Sequence, residues 1–167
     1  MAPKRAPTFE ELVERMRGFH DKLLRRKLTV AAAESCTGGL LGAVLSAHGG
    51  SSDYFRGGAV VYSNDAKEIL ADVPPQLIHS HGAVSSVVAG ALARGSRARL
   101  GAKIGLGITG IAGPGGATPG KPVGLTYVAI DSDKHSAVKK NVWPFDRSGN
   151  RLASVGAALD LLEKALE

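Results

Sequence analysis

The stretch Leu28-Thr29-Val30-Ala31-Ala32-Ala33-Glu34-Ser35-Cys36-Thr37-Gly38-Gly39-Leu40-Leu41-Gly42-Ala43-Val44-Leu45-Ser46-Ala47 decides the fold. Residues 28–33 are a short apolar run with a β lean and read as a buried strand. Ser35-Cys36-Thr37-Gly38-Gly39 reads as a tight turn. Residues 40–47 read as the helix which that turn opens. A strand that runs straight into a helix marks an α/β chain.

Upstream, Thr8 followed by Glu11 is a capping box. Phe9, Leu12, Val13, Met16, Phe19, Leu23 and Leu24 then recur at helical spacing, which predicts a helix over 9–26. Downstream, 48–53 is a Gly/Ser loop and 58–63 a second strand. Asn64 is expected to cap a short helix through 70, and Pro74-Pro75 starts another. Ser85 can cap a long Ala-rich helix to about 100. Residues 103–109 read as a third strand, followed over 110–121 by a loop with five glycines and two prolines. Residues 123–131 and 136–145 read as an antiparallel hairpin, and Asp146 or Ser148 begins a last helix. Alternating strands and helices, then two strands in succession, predict a three-layer α/β/α sandwich with a mixed, mostly parallel sheet. No repeat or linker divides the 167 residues, so one domain is expected.

Hydrophobic residues make up 44% and charged residues 22%, as in an ordinary globular protein. No apolar run approaches the roughly 20 residues of a membrane span. The start Met1-Ala2-Pro3-Lys4-Arg5 is basic, but no apolar signal core follows, so a cytoplasmic location without membrane association is expected. The lone Cys36 excludes an internal disulfide and a Cys-based zinc site. His20, His48, His79, His81 and His135 show no ligand spacing, with His79 and His81 two apart in a predicted turn. Neither a metal nor an organic cofactor is expected. Residues 1–27 carry eight Lys/Arg and four Asp/Glu, so they supply +4 of the net charge of +6. No aromatic residues interleave with these cations and no reader motif is present. A solvated helix face is preferred, and no nucleic-acid partner is required. A basic surface would also attract a phosphorylated small molecule.

Three polar, glycine-rich segments lie against predicted strands and can converge beyond the strand ends. In the first, Glu34 to Gly39, Ser35 has three readings: helix cap, part of an anion cradle, or nucleophile. The second joins Gly50-Ser51-Ser52-Asp53-Tyr54 to the strand ending Tyr62-Ser63-Asn64, with Lys67 on the first turn of the next helix. Lys67 is either an exposed surface lysine or a base of lowered pKa, because a helix N-terminus disfavours a cation. The third, Thr109-Gly110-Ile111-Ala112-Gly113-Pro114-Gly115-Gly116, can wrap an anion closely, or is only a surface loop. Pro114, Pro119 and Pro122 stiffen it.

These segments together resemble the C-terminal domain of the CinA (competence/damage-inducible) family. The likeness rests on Ala33-Glu34-Ser35-Cys36-Thr37-Gly38-Gly39, on Gly50-Ser51-Ser52 with Tyr54-Phe55, and on Tyr62-Ser63-Asn64 with Lys67. It continues through Gly82-Ala83-Val84-Ser85, Thr109 to Gly116, and Lys121-Pro122-Val123-Gly124. It is strong over 28–130 and weaker at the ends. Val87 and Leu92 stand where the family often has an acidic residue and a Met, which reads as a packing change. The resemblance implies hydrolysis of the carboxamide of nicotinamide mononucleotide to nicotinate mononucleotide and ammonia, in pyridine-nucleotide salvage. By motif, Ser35 is implied as nucleophile and Lys67 as its base, with Tyr62, Ser52 and Thr109 lining the site. Arg147 and Arg151 fall where the family has arginines before its last helix. A homo-oligomer is expected. Larger family members carry an N-terminal domain with a pyrophosphatase-like activity, which this chain is expected to lack.

No histidine lies in the three segments, which leaves no obvious Ser-His-Asp triad. Holding an ordinary lysine neutral at pH 7 costs roughly 4–5 kcal/mol, which burial reduces. The turn N–H groups of Cys36, Thr37 and Gly38 are expected to receive the oxyanion. The loop through Gly110 and Gly113, with an arginine, is expected to hold the 5′-phosphate. Two rivals stand beside this reading: Cys36 as nucleophile, and a nucleotide-binding module without catalysis.

Overall fold

A computed structural model describes residues 5–167, so the basic start at Met1-Ala2-Pro3-Lys4 lies outside the described residues. The elements run α1 (Phe9–Arg26), β1 (Val30–Glu34), α2 (Leu40–Leu45), a 3-10 turn (Ser51–Asp53), β2 (Phe55–Val60) and α3 (Asn64–Ala71). There follow α4 (Pro75–His81), α5 (Ser86–Arg99), β3 (Ile104–Gly110), β4 (Leu125–Ser132), β5 (Ser136–Val142) and α6 (Arg147–Ala165). The strand order is β2-β1-β3-β4-β5. β1 pairs parallel with β2 and β3, while β3-β4 and β4-β5 are antiparallel. Four strands therefore point one way and β4 opposes them. "Mostly parallel" holds for strand direction but not for pairing, which the β4-β5 hairpin splits evenly.

β1 is buried along its whole length because both its neighbours and both its faces are covered. Val30 and Ala32 join the core beneath α1, α2 and α6, while Ala33 joins the core beneath α3, α4 and α5. That is the period of two expected of a strand between helical layers. β3 divides its residues in the same way. Ile104, Leu106 and Ile108 pack toward α1, α2 and α6. Gly105 and Gly107 face α5, where an added Cβ would lie 1.9 Å from the Ala93 carbonyl and 2.5 Å from the Ala89 carbonyl. Glycine there lets α5 lie against the sheet. Leu92 is buried in that packing and Val87 half-buried beside it, as a packing change would have them.

Three boundaries differ from expectation. β2 begins and ends three residues earlier than the apolar pattern suggests. Its pairing runs from Val30↔Phe55 to Glu34↔Val60, and the backbone, not the side chains of Arg56-Gly57-Gly58, makes it a strand. Tyr62 and Ser63 thus lie beyond the strand. Ser63, not Asn64, caps α3, its hydroxyl accepting from the Ala66 N–H. The short helix begun at Pro75 runs on to His81, so His79 and His81 lie in the last turn of α4 and not in a separate turn. The capping box of Thr8 with Glu11, the Ser85 cap of α5 and the Asp146 cap of α6 form as read. No helix among the described residues is long and apolar enough to cross a membrane.

Candidate active site

β1, β2 and β3 all end on the same side of the sheet. The chain leaving each of them forms a cleft of about 290 Å³, at the small end of ligand sites. Ser35 and Cys36 after β1, Tyr62, Asn64 and Lys67 after β2, and Thr109 to Gly113 with Gly115 and Gly116 at the end of β3 line it. Ala83 and Val84 close one wall and Arg147 another.

Lys67 lies on the first turn of α3 and is 2% exposed, which removes the surface-lysine reading. Its side chain runs back toward the helix start, as helical side chains do. Nζ lies 3.2 Å from Ser35 Oγ, 2.9 Å from the Val61 carbonyl and 3.4 Å from the Ser63 carbonyl. Two carbonyls can take the two hydrogens of a neutral amine, leaving its lone pair toward the serine hydroxyl. Burial holds the lysine below its ordinary pKa. No carboxylate lies within ion-pair distance of its Nζ among the described residues.

Ser35 does not cap α2; that position is Gly39, in the left-handed region with φ +100°. The N-terminal amides of α2 are not open to a ligand either, which narrows the anion-cradle reading of this turn. They are taken by Glu34, a residue that sequence reasoning passed over. Its buried carboxylate accepts from Thr37 Oγ1 at 2.6 Å and from the N–H groups of Gly39, Leu41 and Gly42 at 3.3, 3.0 and 2.8 Å. Three of its four partners are backbone amides, so no residue pattern announces this cap. The Cys36 and Thr37 N–H groups remain, and neither donates to an oxygen of the described residues. Thr37 and Gly38 themselves sit behind the turn, outside the cleft wall. The Cys36 thiol is buried, and desolvation pushes its pKa up to about 11. It carries almost no thiolate at neutral pH, which disfavours the Cys36 rival.

Thr109 is buried and donates to the Ala83 carbonyl at 2.8 Å, joining the loop wall to β3. Gly110 lets β4 approach: a Cβ would come within 2.4 Å of Thr126. Arg147, first residue of α6, donates to the Gly113 carbonyl and to Tyr62 Oη, each at 2.8 Å. Tyr62, 58% exposed, stands at the rim.

The CinA C-terminal domain model matches residues 13–166. The chain belongs to the CinA C-terminal domain family. A CinA-like protein of Koribacter versatilis is 49% identical over 93% of the chain, and one of Acidobacterium capsulatum is 50% identical over 84%. The chain spans only about a third of these relatives, 37% and 34% of their lengths. The solved competence/damage-inducible protein CihA of Agrobacterium tumefaciens is 35% identical, with a TM-score of 0.89 and 99% of each chain covered. The Klebsiella pneumoniae competence damage-inducible protein A is 29% identical, also at 0.89, covering 93% of this chain and 96% of its own.

Within this CinA domain two further expected site residues, beyond Thr37 and Gly38, are absent from the cleft wall. Ser52 is in the 3-10 turn before β2, at the opposite end of the sheet, because a whole strand separates it from Tyr62. Arg151 is not part of the cleft wall. Its guanidinium donates to the Cys36 and Thr37 carbonyls at 3.2 and 3.0 Å, so it clamps the turn from α6. No group of three or more His, Cys, Asp or Glu placed to hold a metal occurs among the described residues.

Proposed function

We propose that the chain hydrolyses the carboxamide of nicotinamide mononucleotide to nicotinate mononucleotide and ammonia, with Ser35 as nucleophile and Lys67 as base. The observation that carries this reading is the buried Lys67 Nζ within 3.2 Å of Ser35 Oγ at the floor of the cleft. Lys67 takes the hydroxyl proton as Oγ forms a bond to the carboxamide carbon. The unpartnered Cys36 N–H, on the cleft wall, is the donor for the oxyanion. As the C–N bond breaks, Lys67 returns the proton and ammonia leaves, with the acyl group on Ser35. A water then gives its proton to Lys67 and attacks the ester, and Ser35 regains its hydrogen as the acid is released. The cationic pyridinium of the substrate disfavours a charged Lys67 and activates the carbonyl it carries.

The phosphate falls to the other wall. Ala112, Gly113, Gly115, Gly116 and Arg147 line the cleft there, and Arg147 carries a planar donor fork. Pyridine-nucleotide salvage is the process such a reaction serves. The test is incubation of the purified chain with nicotinamide mononucleotide, with ammonia and nicotinate mononucleotide both quantified. Equal amounts of the two, lost in Ser35→Ala, are expected. Tight binding of the nucleotide without ammonia release would make the chain a nucleotide-binding module instead.

A further inference from the structure

Glu34 is a buried acid that the reaction does not use, and its four partners are all donors. That is the pattern of an acceptor-only carboxylate held inside the fold. It lies at the end of β1, adjacent in sequence to Ser35, and its pull is on the far side of the turn: the Thr37 hydroxyl and three amides of α2. Ser35 itself is pinned on the near side, its N–H donating to the Ile108 carbonyl of β3 at 2.9 Å. The turn is thus held at both ends, with Gly38 and Gly39 at φ +59° and +100° between them. The third hold is Arg151 on the carbonyls of Cys36 and Thr37. In a planar trans peptide the N–H points away from the carbonyl of its own unit. Fixing the Ser35 carbonyl on the Gly38 N–H, and the Cys36 carbonyl on Arg151, therefore aims the Cys36 and Thr37 N–H groups away from those partners.

We propose that Glu34 is the positioning residue of the nucleophile turn: by occupying the amides of α2 and the Thr37 hydroxyl with its own carboxylate, it sets Ser35 Oγ against Lys67 and leaves the Cys36 N–H to the substrate. This rests on Ser35 being the nucleophile. Glu34 touches no substrate and moves no proton. Glutamine at this position keeps the shape and loses half the accepting capacity, since its amide nitrogen faces donors. The turn then relaxes without unfolding β1, which is held between two strands.

The experiment follows Ser35 reactivity toward a fluorophosphonate, read as a single adduct on the intact folded protein, beside turnover of nicotinamide mononucleotide. Glu34→Gln is expected to label at least about tenfold more slowly than the parent, and its kcat to fall similarly with KM little changed. The pH at which labelling reaches half its maximum stays where it was, because Lys67 is untouched. Thr37→Val removes one of the four donors and is expected to slow labelling less. Thr37→Ser, which keeps the hydroxyl, restores the parent rate. Parent-like labelling in folded Glu34→Gln overturns the proposal; if that variant does not fold, parent-like labelling in Thr37→Val overturns it. A moved pH midpoint also overturns it, since Glu34 would then act on the charge of Lys67. Labelling of Ser35 without ammonia release defeats the amidase reading alone.

Discussion

Ser51-Ser52-Asp53 leads into β2, and Val61-Tyr62-Ser63-Asn64 leads out of it. Both stretches are short, both are serine-bearing, and both end a run that turns. The first forms a 3-10 turn, and of its residues Ser51 is half-buried while Ser52 and Asp53 are exposed. The second reaches the cleft through Tyr62 and Asn64, supplies two carbonyls to Lys67 and caps the helix that carries it. Six strand residues stand between them, about 20 Å of extended chain. Strand direction separates their roles: in an open α/β sheet the crevice lies beyond the carboxyl ends, and only the second stretch is there.

The largest effect belongs to that end. Ser35→Ala and Lys67→Ala are each expected to lower kcat by at least about a thousandfold, and the double variant to be hardly worse, because cooperating groups do not add. Lys67→Arg should fail as well, since a guanidinium cannot act as a base near neutral pH. Retention of most of the activity in Lys67→Arg, measured by ammonia release, would reduce Lys67 to an electrostatic anchor.

Arg147 comes next. Replacing it with Ala should lower kcat/KM for nicotinamide mononucleotide by roughly ten- to a hundredfold, the worth of a charge-assisted contact of about 1.5–3 kcal/mol. The same change should matter much less for nicotinamide riboside, which lacks the phosphate. Equal losses for both compounds would place Arg147 in the support of Tyr62 and Gly113, where its observed bonds already are.

The burial of Lys67 also predicts a stability signature. Its folded pKa lies below the ordinary value, so between the two values the unfolded chain binds more protons than the folded one. The penalty is greatest at low pH, shrinks as pH rises through the window between the folded and ordinary values, and is gone above it. Lys67→Met carries no such penalty. The stability of the parent relative to Lys67→Met, from urea unfolding at a series of pH values, should therefore rise toward alkaline pH. Losing the bonds to the Val61 and Ser63 carbonyls shifts the whole curve without changing its slope. A flat difference would mean a lysine of ordinary pKa, unfit as the base.

Much of this was legible from local signals. The capping box at Thr8, the strand–turn–helix at Ser35 and the Ser85 cap each depend on residues a few positions apart, and each formed. Lys67 was legible as an alternative, because a lysine on a first helical turn needs either solvent or a reason; burial decided between them. β2 was misplaced because Arg56-Gly57-Gly58 has no strand-like side chains, and its pairing comes from the neighbouring backbone of β1. The clamp made by Arg151 is not legible locally, because its partners are carbonyls more than a hundred residues earlier in the chain, at Cys36 and Thr37. Glu34 was passed over because three of its four partners are backbone amides, which no residue type announces.

The smallest effects return to two serines that flank β2, Ser63 after it and Ser52 before it. Ser63 accepts from the Ala66 N–H at 3.0 Å as the cap of α3. Ser63→Ala should destabilise the chain by about 1 kcal/mol, the usual worth of such a cap. It should also lower activity modestly, since α3 holds Lys67 and the start of that helix would fray. Ser52 has an exposed side chain and lies at the far end of the strand, so Ser52→Ala should change stability by less than about 0.5 kcal/mol and leave kcat/KM unaltered. Urea unfolding and ammonia release on the two variants side by side make the comparison. A loss of activity in Ser52→Ala without loss of stability would mean that the amino end of β2 also serves the reaction. A single chain offers no route for that across the length of β2, so the residue would have to reach the cleft of a second copy, and mixing Ser52→Ala with Ser35→Ala would then restore part of the activity.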